Sequence, residues 1–140
     1  MAKTTGMAQT ALSVDDSAGA AKDIRNDVSD WTFSTPRAAQ DITGVDKSAM
    51  ERQLLLADFS ITINGPAFND SANQAHAVFK TVPSTSVART VTITITGTVG
   101  ANTLAPECLF TDYSLNRGSD GSLSWTAPGV LQSGTAPTWS

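Results

Sequence analysis

The sequence predicts a mainly β protein, an antiparallel β-sandwich or flattened barrel of six or seven strands with one α-helix laid against an end or a face. Three observations lead there. Apolar and polar residues alternate strictly in runs such as Val91-Thr92-Ile93-Thr94-Ile95-Thr96, the period of a half-buried strand. One stretch only, with Ala75, Val78, Phe79 and Val82 at i, i+3, i+4 and i+7, has a helical period. The connections between these runs are short, polar and rich in Gly, Asn, Asp and Ser.

In chain order, residues 1–14 begin as a small-residue segment, and Gln9 to Val14 reads as a first strand ended by the Asp15–Gly19 turn. The second strand runs from Ser29 to Thr35, with Trp31 and Phe33 on one face and Thr32 and Ser34 on the other, and Pro36 closes it. Residues 37–52 then lose their period and read as a long inter-strand loop, a length that in small domains usually serves function. Within it, Ser48 and Glu51 have capping-box spacing, which predicts a short helical turn through Leu54. Asp58 to Asn64 alternates again, with Phe59, Ile61 and Ile63 on one side. The helix is expected over Ser71 to Val82, opened by the Ser71/Gln74 capping box and stopped by Pro83. Strands follow at Arg89 to Thr96, Leu104 to Leu109, Phe110 to Asn116 and Gly121 to Ala127, the last two joined by the Arg117–Gly121 turn. Residues 133–140 form a C-terminal segment. The predicted core is Trp31, Phe33, Phe59, Ile61, Ile63, Val78, Phe79, Val91, Ile93, Ile95, Leu123 and Trp125.

At 140 residues the chain is expected to be one domain, with enough length to bury about two-thirds of its unfolded surface. Aromatics make up only 6%, so large anchors are scarce and contacts with further copies could supply what one copy lacks. Nine basic and thirteen acidic residues give a net charge of −4, and the basic ones are scattered. That argues against tight nucleic-acid binding, which needs clustered Lys and Arg. A single cysteine, Cys108, allows no internal disulfide and points to a reducing cytoplasm. Met1 to Gly6 lacks the apolar region of an export signal, and the longest apolar run, Leu54 to Ala57, is too short to span a bilayer, so no membrane partner is expected.

A search for chemistry finds no catalytic, cofactor-binding or metal-binding set. His76 is the only histidine, and it falls beside the apolar stripe of the predicted helix, where a surface role is expected. One His and one Cys fall short of a zinc site. The spacing of Asp23, Asp27 and Asp30 does not match a calcium loop. Gly118-Ser119-Asp120-Gly121 is neither a phosphate loop nor a nucleophile elbow. Trp139 either packs on its own domain or anchors a neighbour. The leading class is therefore a structural protein that self-assembles. The alternative is a monomeric β-sandwich binding module, Ig-like or carbohydrate-binding; a hydrolase is weakest, with no nucleophile and base to nominate.

The order of motifs adds to this. Asp23-Ile24 leads into Val28 and an alternating strand, Asp41-Ile42-Thr43-Gly44 lies in the long loop, and Glu51 to Leu56 runs into Asp58-Phe59-Ser60-Ile61-Thr62-Ile63. Ala75-His76-Ala77-Val78-Phe79 follows, then Phe110-Thr111-Asp112-Tyr113-Ser114-Leu115, Gly121-Ser122-Leu123-Ser124-Trp125 and the ending Gly134-Thr135-Ala136-Pro137-Thr138-Trp139. From Asp23 to Trp139 the chain resembles the major tail tube proteins of long-tailed, siphophage-type bacteriophages. The resemblance implies a hexameric ring of β-sandwich subunits whose inner sheets join into a continuous barrel, with rings stacked into a hollow tube that passes the genome. It implies a place in the virion tail, assembly in the host cytoplasm, and as partners further copies, a tape-measure protein and a terminator. DNA would pass without specific binding, and six copies at −4 each carry −24 charges per ring, which repels phosphates. The family's long loop reaches the adjacent ring. On that basis Asp41, Asp46, Lys47, Glu51 and Arg52 are candidates for charge pairs that set ring register. Thr92, Thr94 and Thr96 become either channel wall or subunit seam, and Trp139 a C-terminal contact. A tail terminator or decoration protein would share the same strand content.

Overall fold

The computed structural model describes residues 11–97 and 99–140. The start of the first predicted strand at Gln9, and most of the 1–14 segment, lie outside the described residues. In order the elements are β1 (Ala11–Asp15), β2 (Ala21–Asp23), a 3-10 turn (Arg25–Asp27), β3 (Asp30–Ser34), β4 (Arg37–Asp41), β5 (Arg52–Ala57) and β6 (Ser60–Gly65). Then come α1 (Ala75–Phe79), β7 (Arg89–Thr96), β8 (Ala101–Leu104), β9 (Glu107–Phe110), β10 (Ser114–Arg117) and β11 (Leu123–Leu131). All pairings are antiparallel. Nine strands form one sheet in the order β2-β1-β7-β9-β11-β6-β3, with β8 also on β7 and β10 also on β11, while β4 and β5 pair only with each other.

That sheet folds over on itself. Leu12, Val14, Val91, Ile93 and Leu104 from one half share a single buried cluster with Ile61, Ile63, Trp125 and Ala127 from the other. The helix contributes Ala75, Val78 and Phe79, and the Phe79 ring lies 5.0 Å from Phe110 and 5.5 Å from Trp125. The mainly antiparallel β architecture predicted by alternation is thus observed, with its one short helix. Eight of the twelve predicted core residues are buried; Trp31, Phe33 and Ile95 pack half-buried against that cluster, and Leu123 is half-buried.

Several boundaries differ, each for a physical reason. The described residues hold eleven strands, not six or seven. The run predicted as Leu104 to Leu109 splits at Ala105-Pro106 into β8 and β9, because proline has no N–H to give a ladder. β11 continues past Ala127 through Pro128, which the sequence reading took as an end. There the neighbour on one edge changes from β10, paired up to Thr126, to β9, paired from Gly129. The carbonyl of Pro128 accepts from Thr111 N–H on that edge at 3.1 Å, so the missing donor falls in the gap between partners. The helix spans five residues rather than Ser71 to Val82. Asn73 sits at φ 67°, a left-handed conformation that blocks a helix upstream of it, and no capping box forms. Instead the buried carboxylate of Asp27 accepts from Ala75 N–H at 2.9 Å and from Asn69 Nδ2 at 2.7 Å.

Three further buried features mark the interior. The Arg89 guanidinium, 1% exposed, donates through one nitrogen to the carbonyls of Val78 and Asp15, both at 3.0 Å, and through the other to Thr81 Oγ1 at 2.9 Å. Burial lowers its affinity for the proton, and the charges of Asp16 and Asp15 oppose that. Gly65 lies beneath Trp125, where a Cβ would sit 2.0 Å from the indole Nε1, so only glycine fits. Cys108 is fully buried, and burial, helped by Glu107, pushes its thiol up to about 12. The native protein is therefore expected to leave a chromogenic disulfide reagent unreacted at pH 8, and urea-unfolded chains to react at once. Rapid reaction of the native form would show that β9 opens.

Candidate assembly surfaces

The β4–β5 pair is an arm. Its register continues that of β3 and β6: Asp30 faces Asn64, Ser34 faces Ser60, Pro36 accepts Asp58 N–H at 3.0 Å, and Arg37 faces Ala57. A one-residue slip follows between Arg37 and Ala39, after which Ala39 faces Leu54 and Asp41 faces Arg52. The predicted loop over 37–52 is thus strand 37–41, a connection, and the start of β5; the helical turn predicted from Ser48 to Leu54 does not form. Its capping box is pre-empted, because Glu51 N–H donates to Thr43 Oγ1 at 2.8 Å. Ala38-Ala39-Gln40 has no strand period because every residue of β4 is exposed, so neither face demanded an apolar alternation.

Every arm residue in β4 is exposed, and in β5 all but half-buried Ala57. Yet β5 carries Leu54, Leu55 and Leu56 at 53%, 44% and 92% exposure, and Ile42, Val45 and Met50 are exposed in the connection. Three consecutive leucines put apolar side chains on both faces of a two-stranded ribbon. Such a ribbon is marginal in water by itself, and an exposed apolar surface of this kind is a candidate for a contact. The sequence carries the signal in the Leu54 to Ala57 run, its longest strongly apolar stretch.

The five predicted charge-pair residues all lie on this arm and all are exposed. Asp41 and Arg52 face each other across the ladder. The Asp41 carboxylate is engaged by its neighbour: Thr43 donates through its hydroxyl at 2.6 Å and its amide at 2.9 Å, which holds the carboxyl below the ordinary range. Asp46 and Lys47 form a local ion pair at 3.4 Å. Glu51 stands at the foot of β5, its carbonyl accepting Ile42 N–H.

Two hydroxyl-rich faces flank the core. Thr92 and Thr94 are half-buried and Thr96 exposed on the outer face of β7, opposite the buried Val91 and Ile93. Ser13 faces Thr92 across one edge, and Thr103 faces Thr94 across the other with their Oγ1 atoms 3.0 Å apart. The second face was not anticipated as a site. Along it Asp30, Asn64, Thr126 and Ser114 form one cross-strand row, Thr32, Thr62 and Pro128 a second, and Ser34, Ser60, Val130 and Leu109 a third. Asp30 is the one charge in these rows, and Ser34–Ser60 and Thr126–Asn64 hydrogen bonds tie them.

Trp139 takes the first of its two expected roles and packs on its own domain. Its ring lies 6.0 Å from Phe33, which stacks between Trp31 and Phe59, yet 51% of the residue stays exposed. His76 packs against Phe68 and pairs with the Tyr113 hydroxyl at 3.2 Å. Among the described residues no group of three or more His, Cys, Asp or Glu is placed to hold a metal ion.

The folded-over sheet with a two-stranded arm is a phage tail tube-like fold. Three solved structures share it over nearly the whole chain. The tail of an empty gene transfer agent particle, obtained by helical refinement with C6 symmetry, superposes with a TM-score of 0.70 at 16% identity, covering 99% of each chain. A chain of the native gene transfer agent virion gives 0.64 at 15%, again covering 99% of each. One from the six-fold symmetrised baseplate of the anti-feeding prophage gives 0.60 at 14%, covering 99% of this chain and 97% of the other. No protein-family model matches the sequence, and no curated protein does.

Proposed function

We propose that this chain is a structural protein of a phage-like tail, assembling with copies of itself into six-membered rings that stack as a hollow tube for DNA delivery. The observation that carries the reading is the arm, whose apolar residues point away from its own core on both faces and need a neighbour to cover them. The C6 symmetry of the similar gene transfer agent tail supports six copies. In this reading the leucines of β5 supply the burial between rings, and Asp41, Asp46, Lys47, Glu51 and Arg52 select the register. One hydroxyl face lines the wet channel and the other meets the next subunit; Thr92, Thr94 and Thr96 belong to one of these. The net charge of −4 per copy suits a wall along which a polyanion slides without binding. The place of action is the virion tail, with a tape-measure protein and a terminator as further partners.

Negative-stain microscopy of the concentrated protein tests this. Hollow filaments of stacked rings are the expected result. Single closed rings would make the chain a terminator, and dispersed monomers would overturn self-assembly in favour of a binding module.

A further inference from the structure

Among the described residues, the C-terminal segment is hydrogen-bonded to the body at its two ends. Gln132 N–H donates to the Glu107 carbonyl at 2.9 Å, and Ser140 and Thr103 exchange main-chain hydrogen bonds of 2.9 and 3.1 Å. Between them, the described hydrogen bonds of residues 133–138 are internal, as where Thr135 N–H meets Ser133 Oγ at 3.2 Å. An open groove of about 500 Å³ lies between this span and Thr103, Pro106 and Glu107. Gly134, at φ 73°, stands where the span leaves the body, in a conformation that makes a ready pivot.

The seat at the far end is an edge. Thr103 pairs with Thr94 inside the sheet and turns its own N–H and C=O outward to Ser140, so β8 accepts a strand there through main-chain groups alone. Phe33 receives the Trp139 ring, and the Ser140 hydroxyl donates to the Thr103 carbonyl at 3.4 Å.

We propose that, on assembly, residues 133–140 swing away from their own body and seat Trp139 on Phe33 and Ser140 on Thr103 of a second copy. The inference rests on the self-assembly reading above. The same contacts form in either arrangement, so exchange costs little, and between them the span is exposed apart from half-buried Pro137. Eight residues reach roughly 25 Å when extended, enough to cross to an adjacent subunit. Neighbours held side by side raise the local concentration of the incoming segment.

Mixing of variants that each carry one added cysteine tests it. Thr103→Cys and Ser140→Cys chains are combined in equal amounts, concentrated, and treated with a short bis-thiol crosslinker; buried Cys108 stays silent. The double variant, kept dilute, defines the closed contact by crosslinking within one chain. Covalent pairs joining one chain of each kind, confined to the assembled fraction, are expected. Filaments without such pairs would overturn the exchange and leave self-assembly standing, whereas a chain that never assembles overturns both.

Discussion

A chain with Leu54, Leu55 and Leu56 all replaced by serine is expected to unfold at the same urea concentration as the parent, yet to remain dispersed where the parent forms filaments. Folding is untouched because these side chains already face water, and exposed substitutions usually move stability by no more than about 0.5 kcal/mol. Assembly is another matter. Burying a leucine contributes roughly 1.5–3 kcal/mol, and since Leu54 and Leu55 are about half covered already, the three together offer about 4 kcal/mol per contact. At 1.4 kcal/mol per decade, that raises the concentration needed for filaments about a thousand-fold. Sedimentation across a dilution series measures it, and filaments at the parental concentration would remove the arm from the contact.

Arg89→Ala is expected to lower unfolding stability by about 3–5 kcal/mol, a large share of what a domain of this size has. The guanidinium is held by the carbonyls of Val78 and Asp15 and the Thr81 hydroxyl, and when it is removed the Val78 acceptor stays buried and the other two stay partly buried. A void adds to the loss. Arg89→Met separates the two, because it refills the space without supplying a donor, and it should recover about half of the deficit. Midpoints of urea unfolding at unchanged slope give the comparison. A methionine variant as stable as the parent would mean that the hydrogen bonds contribute nothing net.

The legible parts of this molecule are those whose own subunit imposes a period. β7 is bounded in the structure where alternation bounds it, and the inward set of Phe59, Ile61 and Ile63 follows from the same rule. What sequence could not show was set by distant partners. The helix start depends on Asp27, forty-eight residues away from Ala75, and Pro128 is tolerated only because two strands change over beside it. Arg89 reads in sequence as one more scattered cation, since nothing local marks three acceptors gathered from two segments, at Asp15 and at residues 78–81. On the arm, the charges were singled out while the leucines beside them were passed over, because an aperiodic stretch has no face on which to place them. Of the hydroxyl surfaces only the β7 face was foreseen, since the other emerges when β3, β6, β11 and β10 align their rows.

The unbroken register from β3 and β6 into the arm has a mechanical meaning. A pull on the arm along its length draws both strands the same way, so it neither slides β3 past β6 nor peels them apart. The load passes instead to the next ladder, where β6 is held to β11 through six residue pairs from Gly65–Trp125 to Ser60–Val130. Those pairs are loaded in shear and must yield together rather than one after another. A filament joined through such arms would carry tension by a route that runs inward from the β3 edge of each copy's sheet.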